Sequence, residues 1–199
     1  VVSVVHAGQD AENLIVQFAF VVQLWCSLLR AGHAGVNPSP LIRAHILEIR
    51  EALTFDDVLL LPNLATFARE QASLTTKLHP KITLKLPIIS SPMDTVTESA
   101  MATAMAEAGG LGIIHRNLKI ETQVQMVKDV KKKQLLVGAA VGAGADLVER
   151  VKGLVAAGVD LFVVDSGHGH SQYIMDAVKQ IKKQHKGAVV MAGNVATFD

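Results

Sequence analysis

Short apolar runs alternate along this chain with segments whose apolar residues are spaced as on one face of a helix. Uninterrupted apolar runs of this length are typical of strands that are buried on both faces of a parallel sheet. We predict five such strands, within residues 84–89, 111–114, 135–141, 161–164 and 188–192. They recur roughly every 25 residues, the period expected when about 200 to 250 residues divide into eight strand–helix units.

The segments between these runs predict amphipathic helices. Their apolar faces are formed by Met101, Ala104, Met105 and Ala108; by Ile120, Val124 and Val127; by Leu147, Val151, Leu154 and Val155; and by Ile174, Val178 and Ile181. Strands that alternate with helices imply right-handed crossovers and a parallel sheet. The predicted fold class is therefore α/β, a partial TIM (β/α)8 barrel with about five strands and four helices. A doubly wound open sheet is the second choice.

Local signals add detail to this architecture. Thr95 and Glu98 have the spacing of a capping box before the first helix, and Gly158 is placed to end the third. Residues 53–62 predict a short strand that is ended by a proline, and residues 63–82 are expected to form an irregular arm.

Every predicted strand ends at its carboxyl side in polar or glycine residues: Ser91 and Asp94, His115 and Asn117, Gly142 and Gly144, Asp165 and His168, and Asn194. Ligands of α/β proteins bind at the carboxyl ends of parallel strands. Repeated in register, such endings describe the catalytic rim of a barrel.

The segment DLFVVDSGHGHS, residues 160–171, is the richest of these endings. An apolar run passes directly into an acid, a hydroxyl, two imidazoles and two glycines, where a strand meets a loop. In a purely structural alternative, Asp165 and Ser171 only cap the following helix. The alternation of His168 and His170 does not predict a metal site.

Two other polar residues have structural alternatives of their own. Asp94 is as well placed to cap a helix or orient a backbone group as to contact a ligand. His115 is interpreted first as a loop histidine whose hydrogen bonds are satisfied.

Composition narrows the class of protein. The chain has 199 residues, 50% hydrophobic and only 4% aromatic, so it can form one ordinary domain with an aliphatic core. A net charge of +1 gives no reason to expect nucleic acid or an acidic membrane as a partner. The single cysteine, Cys26, excludes an intramolecular disulfide and fits a reducing compartment, so we expect a cytoplasmic protein.

Residues 1–45 differ from the rest of the chain. Their apolar stretch, residues 14–29, is shorter than the roughly 20 residues of a membrane span, and acidic residues precede it where a secretory signal is basic. A packed helix, a cryptic targeting segment and an artefact of gene boundaries all remain open. We divide the chain into an unassigned segment and linker, residues 1–45, and a barrel domain, residues 46–199.

Six motifs in the barrel domain resemble the IMP (inosine 5′-monophosphate) dehydrogenase family. They are EALTFDDVLLLP, SSPMDTVTE, GGLGIIHRN, VGAAVG, DSGHGHS and AGNVAT, in this order, and together they cover roughly residues 46–199. The resemblance implies the N-terminal half of a catalytic TIM barrel. It also implies an NAD-dependent oxidoreductase of purine biosynthesis that converts IMP to XMP for GMP synthesis, usually as a potassium-activated homotetramer.

The resemblance also implies site residues. Asp165, Ser166, Gly167 and His168 would contact NAD, with the acid on the ribose hydroxyls and His168 near the nicotinamide. Ser91 and Met93 would border the nucleotide pocket, and Asn194 would position the reacting base.

The chain departs from the family pattern in three ways. The nucleophilic cysteine, the flap that activates water and the potassium site would all lie beyond Asp199, so we expect no turnover from this chain. Lys131–Lys132–Lys133–Gln134 directly joins elements between which the family usually carries two CBS regulatory domains. Gly167 stands where the family commonly has serine or alanine.

Two other functions compete with the dehydrogenase. One is a fragment of GMP reductase, which shares the barrel and the early motifs. The other is a non-catalytic truncated product that binds nucleotide weakly or associates with full-length subunits. A half barrel also leaves strand edges unpaired, so we expect the chain alone to be prone to aggregation.

Overall fold

The computed structural model describes residues 2–4, 55–59 and 61–196. These fall into two compact units, one of residues 2–4 with 73–196 and the other of residues 55–59 with 61–72. The apolar stretch and the linker predicted before residue 46 lie outside the described residues. Within the described ranges, no helix is both long and apolar enough to cross a membrane.

The larger unit is built on strands and helices that alternate along the chain. Its strands are β1 (Val2–Val4), β2 (Thr76–His79), β3 (Ile82–Leu84), β4 (Ile88–Ser90), β5 (Leu111–Ile114), β6 (Gly138–Val141), β7 (Leu161–Asp165) and β8 (Val190–Gly193). Its helices are α1 (Ser99–Glu107), α2 (Ile120–Lys131), α3 (Leu147–Ala157) and α4 (Gln172–Gln184).

One sheet runs in the order β1-β4-β5-β6-β7-β8, and β2 pairs with β3 in a separate hairpin. Strands β4 to β8 are all parallel, whereas β1 is antiparallel to β4. The five parallel strands and the four helices between them form a partial (β/α)8 barrel. The predicted fold class is therefore confirmed.

Successive residues of the strands face two different hydrophobic clusters, because side chains alternate across a sheet. Ile114, Phe162 and Val164 belong to the cluster between the sheet and the helices. Ile113 and Val163 belong to the cluster on the inner face, where the β2–β3 hairpin also packs. Both strand faces are thus buried, as the uninterrupted apolar runs predict.

The β2–β3 hairpin corrects the prediction of an irregular arm. Leu78, Ile82 and Leu84 are buried in the inner cluster, while Lys77 and Thr83 point to solvent. Burial of each such aliphatic side chain stabilises the fold by about 1.5–3 kcal/mol, which outweighs the weak strand preference of the lysines around them. The short strand predicted within residues 53–62 is also wrong, since Phe55–Asp57 forms a 3-10 turn.

Helix α1 differs from its predicted face and start. Ala102 is fully buried, whereas Met101 is 41% exposed. Gly112 of β5 has no side chain, so Ala102 packs directly against the strand, where any Cβ at position 112 would collide with it. The helix therefore approaches the sheet through its smallest residues. The predicted capping box is wrong: Thr95 has a left-handed backbone (φ 61°), and Glu98 at the N-cap makes no side-chain capping bond.

The other three helices follow the prediction more closely. Val127 of α2, Leu154 of α3 and Ile181 of α4 are buried as expected. Val155 of α3 is 41% exposed, so its place on the apolar face is wrong. Gly158 adopts φ +85° at the end of α3, which confirms its predicted role as the C-terminal cap.

Candidate functional site

The loops that follow strands β4 to β8 form the candidate site, which we call the rim. In the first of them, the hydroxyl of Thr97 donates to the carbonyl oxygen of Ser91 at 2.6 Å and lies 3.0 Å from the hydroxyl of Ser90. The backbone nitrogens of residues 96 and 97 donate to the carbonyl of Met93 at 3.1 Å. Ser91 is only 1% exposed, whereas Met93 is half-buried, so Met93 is the more accessible of the two.

His115 follows β5 and is 2% exposed. Its backbone nitrogen donates to the Thr97 carbonyl at 3.3 Å, and its Nε2 lies 3.7 Å from a carboxylate oxygen of Glu98. Neither ring nitrogen has a hydrogen-bond partner in the part of the chain that the structure describes. The interpretation of His115 as a satisfied loop histidine is therefore wrong.

Asp94 joins the loop after β4 to the loop after β5. Its Oδ2 accepts a hydrogen bond from Nδ2 of Asn117 at 3.0 Å. This contact favours the structural alternative for Asp94, although the group it orients is a side chain and not a helix end or the backbone.

A buried polar network holds the ends of β5 and β6 from behind. Nε2 of Gln123 lies 3.0 Å from the carbonyl oxygen of His115 and 2.8 Å from that of Ala140. Arg150, 6% exposed, donates from Nη1 to Oε1 of Gln123 and from Nε to Asp146, both at 2.8 Å. The sequence prediction missed this network. It could have been suspected because a polar residue lies near a buried valine in two helices, Gln123 with Val127 in α2 and Arg150 with Val151 in α3.

Asp165 is half-buried at the carboxyl end of β7. Burial raises the pKa of its carboxyl group, and the positive charge of Arg116 acts in the opposite direction. Arg116 reaches this region from the loop after β5. Its guanidinium packs over Gly142, where an added Cβ would lie 3.0 Å from Nη1 and 3.2 Å from Cζ.

Ser166 connects the loop after β7 to the loop after β8. Its backbone nitrogen and its hydroxyl both donate to the carbonyl of Gly193 at 2.9 Å, and its own carbonyl accepts from the nitrogen of Asn194 at 2.8 Å. The nitrogen of Gly169 donates to the Asn194 carbonyl at 2.6 Å. The structure thus brings together Ser166, predicted to contact the cofactor, and Asn194, predicted to contact the substrate.

The remaining residues of this loop differ in how closely they are packed. Gly167 and His168 are exposed, and a Cβ added to Gly167 would meet nothing within 4 Å. A Cβ on Gly169 would lie 2.8 Å from the Asn194 carbonyl oxygen. Ser171 caps α4 by accepting from the nitrogen of Ile174 at 3.4 Å, so the structural alternative is right for Ser171.

Two histidine side chains lie close together in the loop after β7. The rings of His168 and His170 have their centroids 6.3 Å apart and are tilted by 53°. Over residues 2–4, 55–59 and 61–196 there is no group of three or more histidine, cysteine, aspartate or glutamate side chains that could hold a metal ion.

These contacts link the loops after β4 and β5 through Asp94 and Asn117, and the loops after β7 and β8 through Ser166 and Asn194. Arg116 extends from the loop after β5 over Gly142 after β6. A parallel α/β half-barrel with connected polar loops at the carboxyl ends of its strands has the ligand-binding architecture of barrel proteins. Residues 52–199 match the family model described as IMP dehydrogenase / GMP reductase domain. The chain therefore belongs to the IMP dehydrogenase / GMP reductase family.

Relatives within this family carry the name inosine-5′-monophosphate dehydrogenase. The protein of Borreliella burgdorferi is 36% identical over 198 residues, covering 74% of this chain and 49% of the relative. That of Cryptosporidium parvum is 39% identical over 192 residues, covering 75% and 47%. That of Nitrosopumilus maritimus is 29% identical over 276 residues, covering 76% and 58%. The chain spans about half the length of these curated relatives.

Proposed function

We propose that this chain forms the part of an NAD-dependent IMP dehydrogenase barrel that binds NAD and one side of IMP. The observation that carries the proposal is the half-buried carboxylate of Asp165, on a loop that is hydrogen-bonded to the loop of Asn194. This connection supports the proposal, because the segment expected to contact the cofactor and the segment expected to contact the substrate are hydrogen-bonded to each other. The names of the relatives favour IMP dehydrogenase over GMP reductase.

The loop after β7 fits a dinucleotide in shape and chemistry. An ionised carboxylate only accepts hydrogen bonds, so Asp165 can take two from the vicinal hydroxyls of a ribose. Gly167 leaves open space beside it, and the exposed His168 can approach the nicotinamide. Bound NAD would supply the hydride acceptor for the oxidation of IMP to XMP.

The loops after β4 and β8 would hold IMP. Met93 offers an accessible thioether side chain, and Ser91 supports the backbone of the same loop. The half-buried Asn194 can hold the purine in place through its carboxamide, while its backbone is fixed by Ser166 and Gly169. The nucleophilic cysteine and the potassium site belong, in this proposal, to a part of the barrel beyond Asp199.

The remaining expectations belong to the same proposal. A cytoplasmic homotetramer would follow from the family, and the chain would then bind ligand without turnover until the rest of the barrel is supplied. The alternative function, a non-catalytic truncated product, also predicts ligand binding without turnover. It differs because it requires that the chain assemble with full-length subunits.

Calorimetric titration of the chain with NAD and with IMP tests the proposal. We expect both to bind, and Asp165→Asn to weaken NAD binding by about tenfold or more, since hydrogen bonds to a charged group contribute roughly 1.5–3 kcal/mol. Glu149→Gln, an exposed acid on α3, is the matched control and should leave NAD affinity unchanged. Equal NAD affinity in Asp165→Asn and the parent chain, or no binding of either ligand, would contradict the proposal.

A further inference from the structure

Arg116, Gly142 and Asp165 lie at the carboxyl ends of three consecutive strands of the sheet, β5, β6 and β7. Neighbouring strands are about 4.8 Å apart, so a long side chain is needed to pass from the first to the third. The guanidinium of Arg116 lies over the middle strand, where a Cβ on Gly142 would be 3.0 Å from Nη1. A Cβ at position 142 would require the guanidinium to shift by a few tenths of an ångström, and a larger side chain would require more.

We propose that Arg116, whose guanidinium lies over Gly142 next to Asp165 in the paired strands, is a positioning residue for Asp165 and favours its negative charge at the rim. This inference rests on the proposed role of Asp165 in binding NAD. Arg116 itself needs no contact with the cofactor. Its effect is exerted through the carboxylate.

The carboxylate needs such a partner because it is half-buried. Burial favours the neutral form and raises the pKa of Asp165, whereas the charge of Arg116 favours the ionised form. A protonated carboxyl group carries a hydrogen on one oxygen and loses part of its capacity to accept from ribose hydroxyls. Arg116 therefore preserves the form of Asp165 that the proposed function requires.

Within the described residues, the loops after β6 (residues 142–144) and β8 (residues 194–196) carry no ionisable side chain. The titratable groups on the other surrounding segments are His168 and His170 in its own loop, Asp146 at the start of α3, and Tyr173 and Asp176 in α4. Asp146 is already paired with Arg150 at 2.8 Å. The charge of Arg116 lowers the pKa of Asp165 against the effect of burial.

The sequence contains the elements of this arrangement without showing their connection. Arg116 and Asp165 are far apart along the chain, and Gly142 fits equally well with an ordinary turn. Only the parallel order β5-β6-β7 brings the three positions into one row.

Three variants test the proposal against a matched control. Arg116→Gln removes the charge, Arg116→Lys keeps it without the planar guanidinium, and Gly142→Ala keeps Arg116 but obstructs its position. Lys128→Gln, an exposed residue on α2, makes the same change in net charge away from the rim. Two quantities are measured: the titration of Asp165 by carboxyl carbon NMR without ligand, and NAD affinity between about pH 5 and pH 8.

We expect Arg116→Gln to move the Asp165 titration to higher pH and to weaken NAD binding at the acid end about two- to fivefold, the range of a solvent-screened interaction between two charges. The loss should shrink towards pH 8, where the carboxyl group is ionised in both proteins. Arg116→Lys should restore part of the effect, Gly142→Ala should reproduce part of it, and Lys128→Gln should have none.

An unchanged Asp165 titration in Arg116→Gln would overturn the inference, as would a loss of NAD affinity of the same size at every pH. The NMR titration needs no cofactor, so it separates this inference from the proposed function: a chain that fails to bind NAD contradicts the latter alone. If Arg116→Gln fails to fold, an unchanged Asp165 titration in folded Arg116→Met, which keeps an aliphatic side chain and removes the charge, is the overturning result.

Discussion

The two ends of the parallel sheet differ in how their polar groups are satisfied. At the amino end, both carboxylate oxygens of Asp160 accept from Nζ of Lys131 at 2.9–3.0 Å, and one also accepts from the nitrogen of Val137 at 2.9 Å. At the carboxyl end, Asp165 has its pKa raised by burial, and Gly167 faces open space.

This difference separates residues whose polar groups are paired within the fold from residues that, in the proposed function, bind a ligand. Polar groups that satisfy one another gain little from a bound molecule, whereas a half-buried acid beside open space gains hydrogen bonds from it. In barrels, the amino-terminal face generally serves stability and the carboxyl-terminal face serves binding. Here both halves of that rule can be tested in a single chain.

The largest effect is expected within the rim, at Gly169. Gly169→Ala would place a methyl group 2.8 Å from the carbonyl oxygen of Asn194, so the two loops must separate. We expect the free energy of unfolding to fall by about 2–3 kcal/mol, as for an overpacked site. Urea denaturation measures it.

Gly167→Ala is the matched control, since its added methyl group meets nothing within 4 Å. It should change stability by no more than about 0.5 kcal/mol. Equal losses in the two variants would show that the whole loop, and not only Gly169, is needed for packing.

A smaller effect is expected at the amino end. Asp160→Asn weakens the hydrogen bonds to Lys131 and Val137. The side chains of Lys131 and Asp160 are 28% and 23% exposed. We expect a loss of about 1–2 kcal/mol in unfolding free energy and no change in NAD affinity. Asp129→Asn, at an exposed pair with Lys132, should leave stability unchanged. If Asp160→Asn lowered the NAD affinity and left stability intact, the amino end of the sheet would serve binding, contrary to the comparison above.

The smallest effect on stability is expected from Asp165→Asn. Unlike the variants above, it should raise the free energy of unfolding. The pKa of Asp165 is raised in the folded state. At pH values above the ordinary aspartate pKa the folded chain therefore binds more protons than the unfolded chain, and its free energy of unfolding falls as the pH rises and Asp165 ionises. The variant should therefore be more stable than the parent chain near neutral pH, with the difference vanishing below the ordinary aspartate pKa. Urea denaturation at several pH values measures it. A variant less stable than the parent at neutral pH would assign Asp165 a structural role.

The alternation of strands and helices was predictable because each parallel strand is buried on both faces. This requirement explains the apolar run at residues 161–164. The helices that cover the outer face of the sheet must in turn bury an apolar face, which includes Val127 and Ile181. The β2–β3 hairpin was also accessible in principle. Leu78, Ile82 and Leu84 alternate with polar residues around a turn at Pro80, but the lysines obscured the pattern.

The wrong predictions concern contacts that only the tertiary structure creates. Met101 is exposed because Gly112 lets α1 approach through Ala102, and Thr95 lies in a loop that is folded back by bonds to Met93. The rim residues were predictable by type and position. Their connections, such as that of Ser166 to Asn194, depend on which strands are neighbours and could not be read from spacing along the chain.

The turn between α2 and β6 has a consequence for protein engineering. Residues 132–134 are exposed, and the residues on either side of them are fixed by the Lys131–Asp160–Val137 contacts at the face opposite the rim. The entropy of closing a longer loop rises only slowly with its length. A reporter domain or purification module inserted in this turn would therefore leave the barrel strands in register and the rim loops accessible. If the proposed function holds, the turn is a suitable attachment point for a ligand sensor built on this scaffold.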